Sequence, residues 1–262
     1  MNRQQGIDWF LLGSVVALLF LGIVLVYSSS SHQAMIQDRS TFFFLAQHLK
    51  KLVVGFVVMG VGLLLSPKVW KSLARPLFVI SILFLLLLLF SPLGISINGA
   101  RRWLDLGVRF QPAELAKIAF VFFLALKLAE NQEKIREFKE GMIPAVVITS
   151  IFFVLLISQP NFSMAIAICA IAASMLYIAG CRKSHFALLG VIAIPVIGLI
   201  GTLKPYRMKR ILSFLNPGES SAADYQQAQA LLSLGNGGLF GTGLGSGTQK
   251  LGYLPMASTD TI

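Results

Sequence analysis

Apolar residues run in long uninterrupted stretches, separated by short polar marks. A helix that crosses a bilayer needs about 20 mainly apolar residues, and seven stretches approach that measure: Trp9 to Tyr27, Leu49 to Leu65, Leu77 to Ile95, Ala113 to Ala129, Ile143 to Ile157, Phe162 to Ile178 and Phe186 to Leu203. Between them, Ser66-Pro67-Lys68, the charged stretch Glu130 to Gly141 and Cys181-Arg182-Lys183 read as turns joining antiparallel helices. After Leu203 the hydropathy collapses, leaving a Gly/Ser/Gln-rich segment over 204–262 with no evident span. That segment is too long for a simple connection. The pattern predicts an all-α membrane protein, a polytopic helix bundle over 1–203 followed by a loop region over 204–262. Only Arg3 precedes the first run and no A-x-A site follows it, so Trp9 to Tyr27 reads as an anchoring helix rather than a signal peptide.

Composition agrees: 56% of residues are hydrophobic and 13% charged, where soluble domains hold about 45–50% and about 25%. The net charge of +11 would suggest nucleic acid in a soluble protein. Here the basic residues fall in short loops between apolar runs, which excludes nucleic acid as the expected partner and favours a membrane with anionic lipid. Cys169 and Cys181, if on one helix, lie about 18 Å apart, too far for a disulfide. His32, His48 and His185 match no metal-ligand spacing, and no structural zinc is expected.

Seven crossings put the stretch Asn98 to Phe110, the Gln159-Pro160 turn and the whole of 204–262 on one side. The side holding the N-terminus carries ten Lys and Arg and the other twelve, so the positive-inside rule does not decide the orientation. If the basic residues of the second side bind a ligand they are not topology signals, and the N-terminus is then cytoplasmic.

Nine basic residues fall within Asn98 to Lys117 and Lys204 to Ile262: Arg101, Arg102, Arg109, Lys117, Lys204, Arg207, Lys209, Arg210 and Lys250. Guanidinium forks match phosphate oxygens two at a time, so this cluster suits a diphosphate at the membrane surface. The alternative is that the same residues snorkel to the lipid surface. Gln111-Pro112-Ala113-Glu114 reads as a helix start, with proline at the first helical position and an acid in the first turn. Gln159-Pro160-Asn161 is a similar start, and both N-termini open towards the basic side, where their N–H groups suit phosphate. Glu114 and Lys117 share one helix face, and a mutual ion pair is the competing account of both. The glycine-rich stretch Gly235 to Gly247 fits no nucleotide-binding spacing and follows no strand, so it predicts tight packing or a re-entrant path instead. Asp260, taken alone, reads as a solvated loop carboxylate.

Asn98-Gly99-Ala100-Arg101-Arg102-Trp103 and Phe110-Gln111-Pro112-Ala113-Glu114-Leu115-Ala116-Lys117 together resemble the signature of the FtsW/RodA (SEDS) family of peptidoglycan glycosyltransferases. Gln159-Pro160-Asn161-Phe162-Ser163, Asn216-Pro217, Tyr225-Gln226, Gly237-Gly238-Leu239-Phe240-Gly241, Gly243-Leu244-Gly245 and Gln249-Lys250 follow in family order, before Leu254-Pro255. The Asn-Gly-Ala-Arg-Arg-Trp form and the Gln-Lys pair lean towards the division branch, FtsW, over the elongation branch, RodA.

The resemblance implies a ten-helix fold of which about seven helices are present, with 204–262 as the extracytoplasmic loop after helix seven. It also implies a bacterial inner-membrane location, lipid II as substrate, glycan-strand polymerisation, and a class B penicillin-binding protein as partner. The family's essential acid maps onto Thr259-Asp260, making Asp260 the expected general base. A carboxylate is a weak base at its reference pKa of about 4, so an apolar or anionic setting would help it. Arg101, Arg102, Gln111, Glu114, Lys117, Arg207, Arg210 and Lys250 are the expected substrate-binding residues. The basic ones, or a divalent cation such as Mg2+, would stabilise the leaving diphosphate.

Met256, Ser258 and Thr261 stand where family members usually have Glu, His and Phe, and Asn161 replaces a frequent Asp, so Asn161 is given no acid role. The chain ends two residues after Asp260, and on that ground the 262-residue chain alone is expected to be inactive. Two rivals use the same bundle and basic patch: a lipid II flippase or transporter, and a non-catalytic division scaffold. The interiors of spans one, three, five, six and seven hold no ionisable group, which argues against ion-coupled transport.

Overall fold

The computed structural model describes residues 8–97, 100–105, 109–203, 205, 208, 222–238, 241–243 and 246–247. The chain divides into two compact units, Met1–Leu64 with Tyr206–Ile262, and Leu65–Pro205.

In the first unit, α1 (Trp9–Ile36) packs on α2 (Phe43–Leu64). The Asp8 carboxylate caps α1 by accepting from the N–H groups of Phe10 and Leu11, both at 3.1 Å. Tyr27 stacks on Phe42 with centroids 5.2 Å apart, and the Arg39 guanidinium lies 4.2 Å from the Phe43 ring centre, which fixes the connection between the helices. A polar helix, α8 (Ala222–Gly237), occupies part of the segment in which no span was expected. Its end runs into Gly238 at φ +55°, and Gly241 and Gly243 follow at +73° and +96°, left-handed values that favour glycine. This stretch follows a helix, not a strand.

The second unit holds α3 (Pro67–Phe90), α4 (Pro112–Glu130), α5 (Ile143–Ser158), α6 (Phe162–Ile178) and α7 (Lys183–Thr202). Each of the seven expected spans thus holds a helix. Among the described residues, five segments are long and apolar enough to cross a membrane: α1, α2, α3, Phe138–Ser158 and α7. The helix α6 has 17 residues. The helix α4 concentrates its charges, Glu114, Lys117, Lys127 and Glu130, at its two ends.

Buried positions recur every three or four residues: Ala113, Ala116, Phe120 and Leu124 on α4, Ile148, Phe152 and Leu156 on α5, Ala165, Ile168, Ala172 and Leu176 on α6. Within lipid there is no hydrophobic drive between helices, so close packing carries their association, and the alanines permit the close approach. The opposite faces, such as Ile118, Val147, Ile151 and Val154, are exposed apolar surface suited to lipid. Between α4 and α5, a π-turn at Phe138–Met142 packs so tightly that a Cβ on Gly141 would lie 2.6 Å from the backbone oxygens of Lys134 and Ile135. Here Lys134 pairs with Glu140, which raises the Lys134 pKa above its ordinary value. Arg75 and Lys127 converge on Glu130 at 2.7 and 2.9 Å, tying the start of α3 to the end of α4.

The stretch expected as a loop between α3 and α4 is a three-stranded antiparallel sheet: β1 (Gly94–Ile97), β2 (Ala100–Asp105) and β3 (Arg109–Phe110). Leu104 is fully buried beneath it, and Phe110 meets Phe84 of α3 edge-on at 5.6 Å.

Candidate functional site

The hairpin begins with a residue count. Ile95 pairs with Trp103 and Ser96 with Arg101, so Arg102 is an extra residue on β2 with no partner on β1. Such a bulge bends the strand and re-aims a side chain. The Arg102 guanidinium duly leaves the sheet and donates to the carbonyl of Pro160, at the turn between α5 and α6. Arg101, which is paired, curls back instead: its Nε donates to the Gly94 carbonyl at 3.2 Å and its terminal nitrogen to the Ser91 carbonyl. Glycine at 94 leaves room for this, because a Cβ there would collide with the Arg101 side chain.

Two residues of the turn reached by Arg102 are buried. Gln159 is 2% exposed and donates through Nε2 to the Leu85 carbonyl of α3 at 2.9 Å. Asn161, 6% exposed, stands at the N-cap of α6 without a side-chain cap bond. Three buried polar atoms here have no hydrogen-bond partner: Arg102 Nε, Gln159 Oε1 and Asn161 Nδ2. Two can donate and one can accept, and burial without partners is costly, so the cluster suits a polar occupant.

Gln111 precedes α4 in extended conformation, with Pro112 at the first helical position and Glu114 in the first turn. Glu114 and Lys117 form the expected pair at 2.7 Å, with side chains 52% and 36% exposed. At that exposure the pair contributes little to stability. The structure therefore brings the double-arginine hairpin, the start of α4 and the Gln159–Asn161 turn to one side of the second unit, as parity required. Arg109 lies on β3, paired with Asp105 of β2. Arg207, Arg210, Lys250 and Asp260 lie outside the described residues. Among the described residues no group of three or more His, Cys, Asp or Glu could hold a metal ion.

The sheet itself was missed, although Asn98-Gly99 between Ile97 and Ala100 is the residue pair that two-residue hairpin turns favour. The buried bond from Gln159 to Leu85 had no signal in the sequence.

Residues 9–262 match the family model FTSW_RODA_SPOVE, described as cell cycle protein. A probable peptidoglycan glycosyltransferase FtsW of Geobacter sp. (strain M18) is 41% identical, over all of this chain and 72% of its own length. Stage V sporulation protein E of Bacillus subtilis (strain 168) is 35% identical over the same shares. Among solved structures, a chain of a peptidoglycan synthase complex coordinating polymerization and crosslinking is similar, with a TM-score of 0.70 and 27% identity. The match covers 88% of this chain and 65% of that one. The Thermus thermophilus rod shape determining protein RodA shares the fold, with a TM-score of 0.55 at 22% identity, covering 89% of this chain and 78% of that one. Sequence and fold agree that this chain belongs to the FtsW/RodA/SpoVE family.

Proposed function

We propose that this chain is a membrane-embedded peptidoglycan glycosyltransferase that polymerises lipid II into glycan strands. One observation carries the reading: the bulged Arg102 bonds to the α5–α6 turn and so gathers cationic hairpin, helix N-termini and unpartnered buried polar atoms on one side. The curated relatives named as peptidoglycan glycosyltransferases support it.

In this reading the 4-hydroxyl oxygen of the acceptor sugar attacks the anomeric carbon of the donor strand. The bond from that carbon to the diphosphate oxygen breaks, and the lipid diphosphate leaves with the electron pair. Asp260 takes the hydroxyl proton. Charge grows on the leaving group, so fixed cations gain strength as the reaction proceeds. Arg102, Lys117, Arg207, Arg210 and Lys250 are the proposed cations, while Arg101 holds the hairpin in shape. Arg102 Nε and Asn161 Nδ2 supply unused donors for sugar or phosphate oxygens. No carboxylate cluster for a divalent cation occurs among the described residues, and no step is assigned to one.

The proposed setting is a bacterial inner membrane with the N-terminus cytoplasmic and the hairpin outside, beside a class B penicillin-binding protein. The test is glycan formation from lipid II by a protein of the matched relatives' length that carries this sequence, reconstituted with that partner, with lipid movement followed in parallel. Asp260→Ala should abolish polymer and leave lipid II binding intact. Polymer formation by Asp260→Ala at the parent rate would overturn the catalytic assignment.

A further inference from the structure

The end of α3 carries no cation of its own: its last turn holds no basic residue, and its C-cap is Ser91. A helix C-terminus bears partial negative charge on carbonyls that have no partner within the helix. Arg101 of β2 meets that demand from outside. Its terminal nitrogen donates to the Ser91 carbonyl and its Nε to the Gly94 carbonyl at 3.2 Å, so one side chain runs back along β1 and is bonded at two points. The backbone position of Arg101 opposite Ser96, together with this side chain, pins one end of the irregular stretch of β2. Trp103 opposite Ile95 and Leu104 opposite Gly94 pin the other, and Arg102 is the residue left between.

Residue 94 decides whether this arrangement is possible. A Cβ there would fall on the Arg101 Nε and come within 2.9 Å of its Cζ. Both atoms belong to the movable end of a long side chain, unlike the backbone oxygens that crowd Gly141. A larger residue at 94 would therefore expel the guanidinium and leave the backbone where it is. Arg101 would lose both carbonyls, and the ladder alone would decide which residue of β2 bulges.

We infer that Gly94 is a positioning residue for glycosyl transfer: it lets Arg101 close the end of α3, and Arg101 in turn keeps Arg102 as the bulged residue directed at the α5–α6 turn. What Arg102 does for substrate rests on the reading proposed above, whereas its placement by Gly94 and Arg101 does not. A side chain at 94 acts on the reaction without touching substrate, and it acts only through Arg101.

The test is a double-mutant cycle of Gly94→Ala, Arg101→Ala and the pair, in a protein of the matched relatives' length that carries this sequence, reconstituted with the partner proposed above. Hydrogen exchange in the α5–α6 turn reads the placement of Arg102, and steady-state polymer formation reads its use. Each single variant should speed exchange in the turn about tenfold, the low end for loss of a hydrogen bond to a charged group. The pair should match Arg101→Ala within about twofold, because the side chain that a Cβ would strike is gone. In polymer formation kcat should fall on the order of tenfold with KM for lipid II unchanged, the mark of a contact that matters in the transition state. Parent-like exchange of the turn in folded Gly94→Ala, or a further loss when Gly94→Ala is added to Arg101→Ala, would overturn the inference. If Gly94→Ala alone does not fold, as judged by circular dichroism, the pair must still fold and match Arg101→Ala, and a pair that also fails to fold would overturn it. Coupled changes in exchange with no polymer from any form, parent included, would support the positioning and overturn the glycosyl-transfer reading.

Discussion

The guanidinium of Arg102 and the carbonyl of Pro160, 58 residues apart in the chain, are hydrogen-bonded across the second unit. A hydrogen bond to a charged group is worth about 1.5–3 kcal/mol. Arg102→Ala is expected to loosen both partners, so that hydrogen exchange accelerates in β2 and in the α5–α6 turn while the helix core stays protected. Glycan formation should fall at least tenfold. Arg102→Lys should not restore it, since a lysine lacks the fork whose Nε is buried here. Parent-like exchange in Arg102→Ala would sink the idea that this bond docks the hairpin.

Gln159 offers a stability test without charge. Its amide donates to Leu85 in a buried setting, and Gln159→Ala leaves that carbonyl without this partner as well as opening a small cavity. The cost should be about 1–3 kcal/mol, seen as a lower Tm in detergent. A Tm within a degree of the parent would mean that the bond contributes nothing measurable.

Glu114 and Lys117 separate stability from function. A pair this exposed is worth about 0–1 kcal/mol, so Glu114→Gln and Lys117→Gln should leave Tm nearly unchanged. If the pair serves substrate, each variant loses polymer formation and weakens lipid II binding. Parent-like kinetics in both would return the pair to a purely structural role.

Gly141→Ala should damage the connection between α4 and α5. The atoms in its way are backbone oxygens, which cannot rotate aside as a side chain would. Overpacking of this kind costs about 1–3 kcal/mol. The expected readout is a lower Tm with faster proteolysis between Gln132 and Met142, and unaltered Tm and proteolysis would contradict the clash.

The bundle was legible because hydrophobic length is a local quantity: α6 begins and ends at the residues the apolar run marks. Other ends moved where polarity and helicity part company. The helix α3 starts at Pro67, ten residues ahead of its apolar run, because proline at the first position and the helix formers after it extend the helix into a basic segment. It ends at Phe90, not Ile95, because β1 recruits Gly94 onward. Parity correctly gathered the hairpin, the α4 start and the α5–α6 turn on one side. What it could not supply was the division of labour between adjacent arginines, which depends on cross-strand register, or the buried Gln159 bond, which depends on which helices are neighbours.

The unmatched residue on β2 makes the hairpin a matter of counting. A chain carrying one more residue in β1, between Ile95 and Ser96, would keep every side chain named here yet give Arg102 a neighbour across the ladder. Its guanidinium would then be directed by the pleat of the strand, and the helical turn opposite would lose its tether. Length changes in this short segment should therefore be tolerated less well than substitutions that preserve its spacing.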